Sequence, residues 1–183
     1  MLIVITGPAS SGKDTIMQAL LKKYPSMKRV ISTTTREKRP GEIEGKDYYF
    51  VSKNQFDQMI KDGKMLEYVD FANNFYGTTK EELNPLTRGE NLIWRVETSR
   101  AALQTNALVL YIDVPNWQVL HKRMKKRGIS DEKIKERLKR DKADFDKYGS
   151  NFKIIILNEE GKLEEAINKI IKIIKDVPTP EVK

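Results

Sequence analysis

Gly7-Pro8-Ala9-Ser10-Ser11-Gly12-Lys13 sets two glycines and a lysine at the spacing that wraps a phosphate. Glycines let backbone N–H groups turn inward around a β-phosphate, and a lysine directly after the second glycine reaches the β- and γ-phosphates. The chemistry is that of a P-loop: Gly7 to Thr15 would cradle a nucleoside triphosphate, with Lys13 as the catalytic cation. That motif asks for Ser or Thr after the lysine to hold magnesium, whereas here Asp14 follows, and then Thr15. Asp14 would ligate Mg²⁺, hold a water that does, or simply be a solvated acid that favours the helix dipole. The metal ligand is therefore expected to be Asp14 or Thr15.

A second set of residues could bind a second phosphate. Arg36 and Arg39 stand three apart in a Gly/Pro loop and would clamp a dianion, with Tyr48 and Tyr76 adding hydroxyl donors. The plainer reading is a solvated loop and two half-buried tyrosines. Arg127 and Arg137 belong to a third, strongly basic set. Between His121 and Lys147 there are 12 Lys/Arg against 6 Asp/Glu, which is most of the net charge of +8. Such a segment is either a charged helix face with i,i+4 pairs such as Glu136–Arg140, or a docking surface for phosphates. Arg123, Lys125, Lys126 and Lys139 are assigned to the charged face, and the lone His121 to surface or packing. The segment lacks the interleaved aromatics of a base-stacking surface, which leaves nucleotide and polynucleotide both open at this point; the intact P-loop then favours a nucleotide, with no stable nucleic-acid partner expected.

The elements that must position these residues alternate along the chain. Leu2–Thr6 reads as a buried strand, Lys13–Lys23 as a helix, and Arg29–Thr33 as a strand. Ser52 with Gln55 and Thr79 with Glu82 form capping boxes, so helices are expected after both. Met65–Phe71 reads as a strand turning at Asn73-Asn74 into Phe75-Tyr76. Asn91–Glu97, Ala107–Val114 and Phe152–Leu157 are further strands. Helices follow Asn116 and Ser130, and an amphipathic helix runs over Lys162–Lys175. Alternation of this kind specifies an α/β fold, a parallel sheet with helices on both faces, and the stretch from Ser32 to Leu92 reads as an insertion beside it. Pro178 and Pro180 mark a frayed tail over 177–183.

At 183 residues, 39% hydrophobic and 33% charged, the chain suits one α/β domain and excludes collagen, long disorder and membrane spans. It contains no cysteine, which removes disulfides, thiolate zinc sites and cysteine nucleophiles together. The apolar run Leu2–Ile5 is too short for a signal segment, so a cytoplasmic protein is expected.

Beyond the P-loop, the run Ser32-Thr-Thr-Thr-Arg36-Glu-Lys-Arg39-Pro-Gly, then Tyr48, Leu66-Glu67-Tyr68 and Phe75-Tyr76-Gly77-Thr78, resembles guanylate kinase over almost the whole chain. The resemblance implies a P-loop NTPase fold in three parts. These are a core (1–31, 91–120, 150–176), a GMP-binding region (32–90) and a helical lid (121–149). It implies ATP and GMP as substrates, Mg²⁺ with the ATP, and a monomer or homodimer acting in purine metabolism. It places Arg36, Arg39, Tyr48 and Tyr76 on the GMP phosphate, Ser32, Glu67 and Thr78 on the guanine, and Arg127 and Arg137 over the moving phosphoryl group. Guanine offers N1–H and a 2-amino group to one carboxylate, whereas adenine would turn a lone pair toward it. The alternative for Glu67 is a strand residue facing solvent.

The pattern breaks in one strand. Guanylate kinases usually carry Asp-x-Asp where this chain has Arg95-Val96-Glu97. Glu97 is kept in the GMP set, while Arg95 would bind phosphate, pair with Asp14 or signal a different acceptor. Ribose bisphosphate phosphokinases resemble the chain at Gly12-Lys13-Asp14 and Ser99-Arg100-Ala101-Ala102-Leu103, and silent guanylate kinase-like binding modules share the fold. Both are retained as alternatives.

Overall fold

The computed structural model describes residues 1–71 and 73–177; the expected tail prolines, Pro178 and Pro180, lie outside them. Two sheets organise the chain. The first is fully parallel, in the order β2 (Lys28–Arg29), β7 (Leu92–Arg95), β1 (Leu2–Thr6), β8 (Leu108–Asp113), β9 (Ile155–Leu157). β1 lies at its centre and is buried at every position, as a strand covered on both faces must be. Its side chains alternate between two cores. Ile3 and Ile5 pack with Ile16, Met17 and Leu20 of α1 (Lys13–Lys23) and Ile167, Ile170 and Ile174 of α6 (Leu163–Asp176). Leu2 and Val4 face Trp94, Tyr111 and Phe152, covered by Ala101 of α3 (Thr98–Ala101) and Phe145 of α5 (Asp131–Tyr148). This is the expected α/β architecture of the P-loop NTPase fold, with helices on both faces.

The second sheet is mixed, in the order β4 (Tyr49–Phe50), β3 (Thr33–Thr34), β6 (Asn74–Thr79), β5 (Met65–Phe71). β5 and β6 form an antiparallel hairpin that pairs Glu67 with Thr78. Gly77 makes that pairing possible, since a Cβ there would lie 2.6 Å from the Glu67 carbonyl and 2.5 Å from Met65. Packed on β6 is α2 (Lys53–Lys61), whose capping box at Ser52 and Gln55 forms as expected.

Two local expectations are corrected. The single strand over Arg29–Thr33 is two strands in different sheets, because the chain passes from β2 to β3 through Ile31 and Ser32. A β-branched run reports extended backbone but not which sheet receives its hydrogen bonds. The box at Thr79 does not form: Lys80–Arg88 is 3₁₀-helical, contains Pro85, and has no side-chain cap. Glu82 bonds elsewhere, accepting from the Ile31 N–H (2.7 Å) and the Tyr49 hydroxyl (3.2 Å). It thereby ties the crossing segment to the β6–β7 connection. α4 (Gln118–Lys126) and α5 carry the basic excess, and Ser130 caps α5.

Candidate active site

β1 ends at the centre of the parallel sheet, and Gly7 to Gly12 loop from its carboxyl end into α1. Gly12 has φ 99°, and a Cβ on it would lie 2.1 Å from the Asn158 side-chain nitrogen. The left-handed backbone favours glycine there, and a Cβ would displace the Asn158 amide. Ser10 also takes a left-handed φ of 64°. Asn158 Nδ2 donates to the Ser11 carbonyl (2.7 Å). Arg123 of α4 donates to the carbonyls of Ser10, Ser11 and Asn158, each at 3.3 Å. These donors brace the loop backbone. Inside it, Lys13 Nζ donates to the carbonyls of Gly7 (2.8 Å) and Pro8 (2.7 Å). Burial, then the neighbouring Arg95 charge, pushes the Lys13 amine down to about 8. Asp141 of α5 accepts a 2.7 Å bond from the Ala9 N–H, so an internal carboxylate sits on a loop donor.

Lys13, Gly7 and Ala9 share one cleft with Ser32, Tyr48, Glu67, Tyr76, Glu97 and Arg95. Glu67 side-chain exposure is only 11%. Burial raises its carboxyl above the ordinary glutamate range, while Thr78 and Arg100 pull it back. The Arg100 guanidinium lies 3.8 Å from Glu67 and also holds the Tyr68 carbonyl at 2.8 Å. Thr78 is fully buried; its hydroxyl lies 3.4 Å from Ser32 Oγ and accepts from the Trp94 indole at 3.2 Å. Ser32, Glu67 and Thr78 thus form a polar pocket of two hydroxyls and one carboxylate.

An adjoining cleft holds Arg36, Arg39, Tyr48, Tyr76, Asp14 and Arg95. Arg36 makes a two-pronged pair with Glu42 (3.0 and 2.8 Å), and Glu42 also accepts from the Arg39 N–H at 2.8 Å. The Arg36 guanidinium lies 5.5 Å from the Tyr48 ring centre. A third cleft brings Arg137 and Arg140 to Ala9, Tyr48, Tyr76, Glu97 and Arg95. Arg127 lines none of the three and donates to the Ser10 hydroxyl at 3.3 Å. Pro8 and Ser11 belong to the loop itself.

The possible metal ligands differ in place. Thr15 is exposed. Asp14 faces the second cleft and pairs with Arg95, 3.3 Å between Oδ1 and Nε. Among the described residues no group of three or more His, Cys, Asp or Glu side chains comes together. The chain offers single oxygens, which suits a Mg²⁺ that arrives on nucleotide phosphates and keeps several waters.

A guanylate kinase family model matches residues 1–177. The chain belongs to the guanylate kinase family. A guanylate kinase of Trichormus variabilis is 38% identical over 165 residues, covering 87% of this chain and 82% of the relative. One of Latilactobacillus sakei is 34% identical over 182 residues, 96% and 88% of the two chains. The crystal structure of guanylate kinase from Anaplasma phagocytophilum has a TM-score of 0.74 at 24% identity, over 96% of this chain and 84% of that one. Family membership makes the chain a phosphotransferase. Among the described residues no helix is long and apolar enough to cross a membrane.

Sequence reasoning missed Arg123, Asp141, Asn158 and Arg100. The charge pattern places Arg123 on the solvated face, yet it stands one turn before Arg127, and that spacing is a usable signal. Nothing local marks Asp141 or Asn158, whose partners lie 132 and 147 residues away.

Proposed function

We propose that this chain transfers the γ-phosphoryl group of Mg-ATP to GMP, giving ADP and GDP. The observation that carries this reading is that Lys13 and Glu67 line one cleft. A triphosphate-binding lysine and a purine-reading carboxylate then face each other with the acceptor phosphate between them. In this reading residues 32–90 bind the acceptor, 121–149 form the lid, and 1–31, 91–120 and 150–176 form the core. The chain acts as a monomer or homodimer in cytoplasmic purine metabolism, without nucleic-acid or membrane partners.

An oxygen of the GMP phosphate attacks the γ-phosphorus in line. The new P–O bond forms as the bond to the β-phosphate oxygen breaks, and that electron pair leaves with ADP. The attacking oxygen is already anionic, so no general base is required. Gly7 to Thr15 hold the donor phosphates, with Lys13 on the β- and γ-oxygens. Asp14 or Thr15 would give one protein oxygen to a Mg²⁺ carried on the nucleotide, which when bound would neutralise phosphate charge. Arg36, Arg39, Tyr48 and Tyr76 hold the acceptor phosphate in line, which removes most of the entropic cost of the encounter. Ser32, Glu67, Thr78 and Glu97 hold the nucleoside. Arg127 and Arg137 come over the equatorial oxygens, where transition-state charge spreads. Closure of the lid keeps water from the γ-phosphorus.

The test is the initial rate of ADP release from Mg-ATP with GMP, dGMP, AMP, UMP or ribose bisphosphate offered separately. Turnover on GMP should exceed that on AMP by about 10³-fold or more. Preference for ribose bisphosphate would overturn the reading.

A further inference from the structure

Arg95 is the one cation that borders all three clefts among the described residues. It ends β7, next to the central strand that delivers the phosphate loop, with Ile5 and Arg95 in register. Its guanidinium spans two anion-binding neighbourhoods. One Nη donates to the Tyr48 hydroxyl, while Nε and the other Nη face the Asp14 carboxylate at 3.3 and 3.5 Å. Its cation also lies 5.9 Å from the Tyr48 ring centre. Phosphate seated on Tyr48 therefore comes within reach of the same guanidinium.

The charge balance points the same way. Arg95 shares one cleft with Lys13 and the adjoining cleft with Arg29, Arg36 and Arg39, so its charge adds to cations on both sides. Asp14 is largely exposed, with 64% side-chain exposure against 29% for Arg95. A solvated carboxylate is a weak competitor for a guanidinium that can instead take two oxygens of a phosphate dianion.

We infer that Arg95 is a catalytic residue, which leaves Asp14 on ligand binding to take oxygens of the acceptor phosphate together with Tyr48 and present it to the donor's terminal phosphate. The inference rests on the reading of GMP as acceptor. Arg95 donates hydrogen bonds to non-attacking oxygens, and no proton or bond is made or broken at it.

The experiment compares GMP with guanosine, by calorimetric binding and by kcat and KM, in wild type, Arg95→Gln and Arg95→Lys. Arg95→Gln should weaken GMP by about 10- to 100-fold and leave guanosine unchanged. Arg95→Lys should recover part of the loss, since it keeps the charge without the fork. Thermal midpoints within a few degrees of wild type would show that the fold persists. An unchanged ratio of GMP to guanosine affinity in a folded Arg95→Gln protein overturns the assignment. Wild type that binds no GMP but turns over another phosphorylated acceptor overturns the GMP reading alone. The same comparison with that acceptor and its dephosphorylated form then decides Arg95.

Discussion

Asp14 and Arg95, 81 residues apart in sequence, pair across the mouth of the phosphate loop at 3.3 Å. At both positions the chain departs from the pattern it otherwise resembles, with an acid after the P-loop lysine and a base for the first aspartate of Asp-x-Asp. One departure answers the other: the carboxylate stands on α1 instead of β7, and a cation fills the place it left. Neither substitution makes electrostatic sense alone. Arg95→Asp would set two carboxylates beside the phosphates, and Asp14→Ser would leave the crowded cations without their nearest counter-charge.

A double-mutant cycle makes this quantitative. Arg95→Asp should lower kcat/KM for GMP by at least about 100-fold, and adding Asp14→Ser should restore at least about tenfold of it, a coupling of the size seen for contacting charges. Thermal midpoints should move little, because a partly exposed pair contributes about 1 kcal/mol or less. Strictly additive effects on kcat/KM would mean that the two positions act independently.

Lys13→Met should reduce kcat by about 10³-fold or more while leaving the fold intact. The pH behaviour gives a sharper check. The folded amine titrates near 8, below its ordinary 10.5, so between those values the unfolded chain binds more protons. Stability of the empty protein should therefore rise with pH across that window, and Lys13→Met should remove that rise. Donor phosphates favour the charged amine. ATP binding near pH 8.5 should accordingly take up a proton, detectable as a dependence of calorimetric heat on the buffer's ionisation enthalpy, and absent in Lys13→Met.

Glu67→Gln should cost GMP turnover by about 10²- to 10³-fold and leave the low AMP rate nearly unchanged, so that base preference collapses. Burial holds the Glu67 carboxyl above its ordinary range. Since the ionised form is the one that accepts both guanine donors, wild-type affinity for GMP should fall on acidification before that of an unperturbed carboxylate would. The folded state here binds the extra proton, so the empty protein gains nothing from ionising Glu67. The amide variant should melt no lower than wild type at neutral pH. A variant that keeps its GMP preference would remove Glu67 from the pocket.

How much of this was legible in the sequence depends on how far each partner lies along the chain. β1, the loop and α1 were readable residue by residue, because strand, glycines, lysine and helix are contiguous and each has one physical job. Glu67 and Thr78 were readable as a pair through the hairpin, whose turn at Asn73 takes a left-handed φ of 61°. Thr79 and Glu82 had the right types and spacing for a cap, yet Glu82 serves Ile31 and Tyr49 instead. A local motif cannot register a competitor from another strand. Arg95 was visible as an anomaly, but that its partner would be Asp14 became definite only when β7 was laid beside β1.

Arg123 supplies the last test, because it was assigned by sequence to a charged surface and instead braces the loop that holds the donor. Its guanidinium reaches three carbonyls, those of Ser10, Ser11 and Asn158. Together with Asn158 it fixes a turn in which Ser10 takes a conformation unfavourable to a side-chain-bearing residue. Arg123→Ala removes three charge-assisted hydrogen bonds at once and should cost about 1–3 kcal/mol of stability. Because these bonds go to Ser10, Ser11 and Asn158, none of which lines the acceptor clefts, KM for ATP should rise and kcat fall while GMP affinity stays within about twofold. Arg123→Lys should fail to rescue, since one ammonium cannot match the planar fork to carbonyls on two separate segments. If Arg123→Ala leaves both the melting temperature and KM for ATP unchanged, the residue is after all only part of the charged face of α4.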